Sequence, residues 1–368
     1  MGNNSKLNVG IVIPTLNRPD FVIRQLEYYA QIKSPHPVYI GDASNEENKK
    51  KLQVAIEKLS KHLVINYYAQ PEGCNASEAH IYLYNKIKED YCVFSGDDDY
   101  QIPDSLTKCA EFLESNPEYS STSGHEITFR LVGNGVYGEL QRLADNPCGQ
   151  IEASTAAQRL IDFFTNYSVT VWSVQRTAQT IKSWSQTNTI KDRAFAGEIL
   201  PCAMFSVLGK SKIIDCLSLV RQIGNPKIIP HTTFGWITKK NFQSSYEIFC
   251  ETLAKEISII DGIDIDEASK VPKQAFWSYL NIWLPIEYKE IYPSQTNDRK
   301  KLSGNLSRKL RLRLGQKLPW LKNIYLRVSH SLPNTPREFF YEVAQPSSPY
   351  HKDFQSVFDS FSGKYNKL

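Results

Sequence analysis

Tyr91-Cys92-Val93-Phe94-Ser95-Gly96-Asp97-Asp98-Asp99-Tyr100 decides how the rest of the chain is read, because a short apolar run stops abruptly in three consecutive acids. Tyr91 to Phe94 suit a central parallel strand covered on both faces. The acids then fall at its carboxyl end, where open α/β sheets gather their ligands. Adjacent carboxylates repel one another and raise each other's pKa, so a cation is the usual reason to keep them together. Oxygen-only ligands favour a hard divalent ion, Mg²⁺ or Mn²⁺. The competing reading of the triplet is a solvated acidic turn.

Working back from the acids, the chain alternates strands and helices. Val9 to Pro14 is β-branched and apolar and runs into the turn Pro14-Thr15-Leu16-Asn17-Arg18-Pro19. Pro19 and Asp20 open a helix with Phe21, Ile23, Leu26 and Tyr29 or Ala30 on one face. Val38 to Ile40 form a second strand, and Gly41-Asp42-Ala43-Ser44 leads into a helix from near Glu46, which places Asp42 at another strand's carboxyl end. A third strand, Val64 to Ala69, leads through Pro71-Glu72-Gly73 into a helix over about Ala76 to Ile87. This alternation predicts βαβ units and a mostly parallel sheet. The first turn contains neither G-x-G-x-x-G nor G-x-x-x-x-G-K-[ST], which excludes a dinucleotide fingerprint and a P-loop.

Downstream, Pro103 starts a helix that Asn116-Pro117 ends, and Tyr119 to Leu131 is strand material. Gly133 to Gly149 reads as a loop or hairpin, Ile151 to Thr165 as a helix, and Val169 to Val174 as an apolar strand. Thr187 to Ala196 is polar, Glu198 begins a helical run to Leu208, and Ile213 to Arg221 returns to strand.

The chain has 368 residues with 41% hydrophobic and 22% charged, so a large globular domain with an appendage, or two domains, is expected. Its seven cysteines are scattered, without a C-x-x-C pair, which argues against a zinc site and a disulfide framework and for reduced thiols in the cytoplasm. The amino-terminal residues show no apolar signal-like stretch, and no run is long and apolar enough to cross a bilayer. In that compartment Asn166-Tyr167-Ser168 is a chance match to a glycosylation acceptor.

These residues resemble the inverting nucleotide-sugar glycosyltransferases with the GT-A fold, of the family-2 type. The pieces that carry the resemblance are Ile13 to Pro19, Gly41 to Ser44, Gly73 with its helix, Ser95 to Asp99, and Ile102-Pro103-Asp104-Ser105-Leu106, together spanning about residues 9 to 120. The resemblance implies an α/β fold of GT-A type: a mostly parallel central sheet flanked by helices, a Rossmann-like nucleotide-binding half, and a helical C-terminal appendage. Residues 1–235 are expected to form the transferase domain, with 9–120 binding the donor and 121–235 the acceptor, and 236–368 the appendage.

The resemblance also assigns roles. Pro14, Thr15, Arg18 and Gly73 would line the nucleotide pocket, and Asp42 would accept the imide hydrogen of a uracil-like base, although a helix N-cap is its alternative. Asp98 is the expected metal ligand, with Asp97 on the ribose side and Asp99 as the other candidate ligand for Mn²⁺ or Mg²⁺. Gly96 stands where the family's first aspartate is usual, so the assignment within the triplet stays open. Ala79-His80-Ile81 stands where the family carries an arginine facing the nucleotide; His80 is a candidate substitute, or an ordinary surface or core histidine. Inverting transfer needs a base for the acceptor hydroxyl. Glu198, eleven positions before Gly209, resembles the family's base, but Ile199 replaces the usual second acid. Asp192 is the alternative base, and an early-helix acid is the plainer reading of Glu198. Arg221 and His231 are surface residues or diphosphate contacts.

The C-terminal third contains two helical stretches, Phe242 to Asp261 and Lys270 to Lys289; the second carries Trp277, Tyr279, Trp283 and Tyr288, an aromatic stripe that suits a core. Residues 299–330 hold ten Lys or Arg and no Asp or Glu, while the whole chain has a net charge of +4. With Leu302, Leu306, Leu310 and Leu314 at helical spacing, this segment predicts a basic amphipathic helix suited to an anionic membrane, at the inner face of the plasma membrane. Packing onto the domain and nucleic-acid binding compete, and no nucleic-acid module is recognisable. The expected activity is metal-dependent, inverting transfer of a sugar, preferably from a UDP-linked donor, to a hydroxyl on a glycan or lipid-linked acceptor in surface polysaccharide assembly. The rivals are a nucleotidyltransferase with a related sheet and a non-catalytic module that binds nucleotide sugar or glycan.

Overall fold

Strand β1 (Val9–Thr15) shows why the sheet is covered on both faces. Val9, Ile11 and Ile13 enter one apolar cluster and Val12 enters another, as the two-residue period of a strand requires. In the computed structural model, which describes residues 7–74, 76–224, 232–291 and 342–365, β2 (Val38–Asp42), β3 (Ile65–Ala69) and β4 (Tyr91–Phe94) join β1 in the parallel order β3-β2-β1-β4. The crossovers are α1 (Pro19–Gln31), α2 (Glu46–Leu59) and α3 (Ala76–Tyr84). Pro19 supplies the fixed φ of a helix start to α1, and Asn45 caps α2 by accepting the Asn48 N–H at 3.0 Å. In register, Thr15 pairs with Asp42 and Asp42 with Ala69. Three strands therefore end at one rim, and their loops meet there.

The second half mixes directions. It comprises β5 (Tyr100–Gln101), α4 (Pro103–Ser115), β6 (Tyr119–Leu131), β7 (Leu140–Asp145), α5 (Ala156–Thr165), β8 (Val174–Arg176), α6 (Thr177–Ser185), α7 (Leu200–Leu208) and β9 (Lys210–Gln222). Among the described residues the sheet runs β3-β2-β1-β4-β8-β6-β9-β5, with β7 hairpinned to β6. β8 is antiparallel to both neighbours, whereas β9 runs parallel to β6. At Gly124 a Cβ would stand 2.2 Å from the Cys216 carbonyl oxygen, so only glycine permits this approach of β6 to β9.

Three local expectations shift. The helix read from Ile151 starts at Ala156, because Thr155 caps it and Asp261 accepts the N–H groups of Ala156 and Ala157 at 2.7 and 2.8 Å. The strand read over Val169 to Val174 begins only at Val174, because a turn closed by the Ser173 N–H on the Thr170 carbonyl at 3.1 Å keeps the preceding residues out of the sheet. The helical run read from Glu198 opens with a π-helical turn over Phe195–Ile199 before α7.

The C-terminal region is helical, as expected, and it completes both cores. Of helices α8 (Thr233–Ile237), α9 (Phe242–Asp261), α10 (Ile265–Ala268) and α11 (Lys270–Ile291), α9 packs against α5 and α7 and α11 against α5, with α8 and α10 against α9 and α11, burying Phe249, Leu253, Phe276 and Leu280 in the second cluster. The helix His351–Phe361 returns to the first cluster, where Phe361 stacks on Phe129 at 4.6 Å and Tyr100 meets Ser360 at 3.1 Å. No helix among the described residues is long and apolar enough to cross a membrane. All seven cysteines are free thiols. The basic segment 299–330 and His231 lie outside the described residues.

Candidate active site

The rim is assembled from three loops. The Asn17 N–H donates to the Ser44 hydroxyl at 2.7 Å, the Asn45 N–H donates to the Asn17 amide oxygen at 2.9 Å, and the Ala43 N–H donates to the Thr15 carbonyl at 3.0 Å. These bonds tie the turn after β1 to the turn after β2. The acidic turn is then tied to the first loop: the Thr15 hydroxyl donates to Asp97 at 3.0 Å, and Arg18 forks across to Asp97 at 2.6 Å and Asp98 at 2.7 Å. Thr15, Arg18, Asp97 and Asp98 are thus brought together, with Pro14 at the strand end behind them. A guanidinium that bridges two carboxylates in this way fixes geometry as well as charge.

Asp99 points the other way. It is 3% exposed, accepts the Gln222 N–H at 3.2 Å, and lies 3.6 Å from Nε of Arg221. Its carboxylate folds back over Gly96, where a Cβ would sit 2.7 Å from Oδ2. That contact explains the glycine before the acids. The turn backbone is held from beneath: Gln25 donates to the carbonyls of Gly96, at 2.5 Å, and Asp99, and Arg24, fully buried, donates to the Asp98 carbonyl at 2.8 Å and the Gln222 side chain at 2.7 Å.

Burial pushes the Asp97 carboxyl up to about 7 against the pull of Arg18, with Asp98 adding to the rise. Burial likewise raises Asp99 to about 7 against Arg221, with Asp98 and Asp97 adding. Burial thus works against ionisation of both acids, and a bound cation would favour their charged forms.

Among the described residues no group of three or more His, Cys, Asp or Glu side chains is arranged to hold a metal ion. Asp98 and Asp99, the expected ligand pair, diverge, because Asp99 is turned inward to Arg221 and the Gln222 N–H. Asp97 and Asp98 instead converge on one cationic group. Two hard carboxylates sharing a single cation suit an ion that takes one or two ligands from protein and the rest from phosphate and water, the habit of Mg²⁺.

Asp42 is 1% exposed and accepts the Ser44 N–H at 2.9 Å and the Tyr67 hydroxyl at 3.0 Å. It does not cap α2; Asn45 does. Gly73 occupies the left-handed region at φ 64° and donates its N–H to the Ala43 carbonyl at 3.0 Å, which brings the loop after β3 against the loop after β2.

His80 takes the core position that was the alternative to a phosphate-facing role. Its ring packs edge-on against Trp184 at 4.5 Å and Phe94 at 5.6 Å, Nδ1 is buried without a partner, and burial lowers its pKa to about 4. A neutral imidazole in an aromatic setting does not replace a phosphate-facing arginine.

The two base candidates also separate. Asp192 is buried and one carboxylate oxygen accepts three donors, the N–H groups of Ala194 and Phe195 and the Trp236 indole at 2.9 Å. It serves as a cap for the π-helical turn. Glu198 is half-buried and accepts the Tyr167 hydroxyl at 2.7 Å. The Tyr167 ring packs edge-on against Tyr279 at 4.9 Å. A short segment links Glu198 to the acids: Tyr167 touches the glutamate, while Trp172 on the same segment receives the Arg221 guanidinium on its ring face at 3.5 Å.

Arg24, Gln25, Tyr167 and Gln222 escaped the sequence reading. Arg24 and Gln25 sit beside the apolar stripe of α1, where a polar pair looks like a solvated edge.

No protein-family model matches the sequence, and no curated protein matches it. The fold is similar to solved structures of TarS from S. aureus. Its residues 1–349 in complex with UDP-GlcNAc superpose with a TM-score of 0.50 at 12% identity, covering 98% of this chain and 90% of that one. The same fragment alone gives a TM-score of 0.47 at 14% identity with the same coverage. At such identity the likeness bears on fold, the GT-A type α/β architecture that the sequence implied, with a mixed rather than mostly parallel sheet.

Proposed function

We propose that this protein transfers a sugar from a nucleotide diphosphate donor to a hydroxyl acceptor with inversion at the anomeric carbon. The observation that carries the reading is the convergence of Thr15, Arg18, Asp42 and the Asp97–Asp98 pair at the carboxyl ends of β1, β2 and β4. Such a rim suits a polyanionic ligand with a base at one end and a diphosphate at the other. A UDP-linked donor is favoured because the fold neighbour was solved with UDP-GlcNAc. In this reading Asp42 and Tyr67 meet the base, Asp97 the ribose side, and Arg18 and Arg221 the diphosphate. Asp98, with Asp97 beside it, would hold Mn²⁺ or Mg²⁺, which supplies charge neutralisation at the departing diphosphate when bound.

Glu198 removes the proton from the acceptor hydroxyl as its oxygen forms the new bond to the anomeric carbon. The bond from that carbon to the diphosphate oxygen breaks in the same displacement, and its electron pair leaves with the nucleotide diphosphate. The acceptor is a glycan or lipid-linked glycan, and residues 299–330 provide an attachment to anionic membrane in the cytoplasm. A thermal-shift panel of nucleotide sugars, with and without Mn²⁺, tests the reading. Stabilisation by one nucleotide class, enhanced by Mn²⁺, is expected. No stabilisation by any nucleotide sugar would remove the proposal.

A further inference from the structure

The geometry points to Arg18 as a latch that stands in for the cation between Asp97 and Asp98 and couples the arrival of a divalent ion to that of a diphosphate. This rests on the reading above. The two carboxylates are fixed and the guanidinium is not. Asp97 is held on its second oxygen by Thr15, and the turn that carries both acids is held by Gln25 at the Gly96 and Asp99 carbonyls and by Arg24 at the Asp98 carbonyl. The Asp97 and Asp98 side chains are 9% and 15% exposed, whereas Arg18 is 33% exposed and, apart from the two carboxylates, packs on the Phe21 ring, 4.2 Å from its centre.

A guanidinium and a divalent ion cannot both neutralise this pair at hydrogen-bond distance, since each would repel the other. Without a nucleotide, Arg18 must give up two charge-assisted bonds to let an ion in, and gains none. With a diphosphate present, Arg18 leaves the carboxylates for phosphate oxygens, which match its fork of donors equally well. The ion and the diphosphate then favour each other's binding by a common factor, as linkage requires.

The test measures Mn²⁺ binding from the electron paramagnetic resonance signal of the free ion, using the full chain with and without UDP. Arg18→Gln should bind Mn²⁺ about tenfold more tightly than the wild type in the absence of UDP, the weight of the released bonds. UDP should then tighten Mn²⁺ binding less in the variant than in the wild type, by a similar factor. Arg18→Lys, with a point charge in place of the fork, should fall between them. The latch is overturned if Arg18→Gln binds the ion no tighter without UDP, or if UDP strengthens Mn²⁺ binding equally in both. Failure of the wild type to bind UDP at all would sink the functional reading as well; UDP binding with unchanged Mn²⁺ coupling would sink the latch alone.

Discussion

Asp97, Asp98 and Asp99 sit among three guanidinium groups, whereas Glu198 accepts a phenol hydroxyl from Tyr167, whose ring packs against Tyr279. In the acidic turn, Arg18, Arg24 and Arg221 surround three consecutive acids, and the turn backbone is held by Gln25 and Arg24. Among the described residues Glu198 accepts one hydrogen bond, from Tyr167, whose own ionisation is suppressed by burial and by the neighbouring carboxylate. The difference separates two tasks. In the proposed transfer, the ionic cluster suits the charged donor, and the carboxylate with a neutral partner suits the base.

Removing the proposed proton acceptor should have the largest effect. Glu198→Gln should keep donor binding and lower turnover by about 10² to 10⁴, the usual worth of a general base. Asp192→Asn should instead reduce thermal stability, since Asp192 is committed to three donors around the π-helical turn. Steady-state kinetics beside UDP calorimetry decides between them. Loss of turnover in Asp192→Asn at unchanged stability, with Glu198→Gln active, would reverse the assignment.

Arg24 tests how strongly the ionic half depends on its buried support. Arg24→Met removes the donors to the Asp98 carbonyl, the Val136 carbonyl and Gln222 while keeping much of the side-chain volume. It should cost about 3 kcal/mol in urea denaturation, typical of orphaning several buried acceptors at once. A loss below about 1 kcal/mol, comparable to a surface substitution, would mean that the turn holds itself.

Asp98→Asn probes the ion site. It removes one charge from a repulsive triplet and leaves Arg18 its bond to Asp97, so the fold should persist. Mn²⁺-dependent UDP affinity should fall at least about tenfold, the worth of one lost charge-assisted contact. Unchanged affinity would move the ion elsewhere.

The parallel half was legible because its information is local. Val9 to Pro14, Val38 to Ile40 and Tyr91 to Phe94 announce strands by β-branched and aromatic runs, and the acids that follow mark the rim. The support for that rim was not legible, because it comes from far along the chain. Arg24 meets Gln222, Tyr100 meets Ser360, and Gln101 donates to the Trp172 carbonyl at 3.1 Å. Nothing in the neighbourhood of Arg24 tells a buried arginine from a solvated one on an amphipathic helix. The same limit applies to His80, whose aromatic neighbours Phe94 and Trp184 come from separate elements, and to the C-terminal helix. That helix reads as an appendage until Phe354, Val357 and Phe361 are seen closing the first core.

The smallest expected effect concerns pH, and it separates the ionic half from the rest of the molecule. Burial raises the Asp97 carboxyl from an ordinary value near 3.8 to about 7 in the folded protein. Between these two values the folded state holds a proton that the unfolded state has released. Stability from this group is therefore full below about pH 4 and is lost as pH rises towards 7, because the slope follows the protons bound by the unfolded state minus those bound by the native state. Asp97→Asn, neutral at every pH, should not lose this contribution. The melting temperature of the variant relative to the wild type should accordingly climb by a few degrees between pH 4.5 and 7.5, measured without divalent ions. Working against this is Arg18, which prefers the ionised carboxylate at 2.6 Å. If that attraction dominates, the relative melting temperature falls over the same interval, and Asp97 is a fully ionised partner of Arg18 rather than a proton-holding member of the triplet.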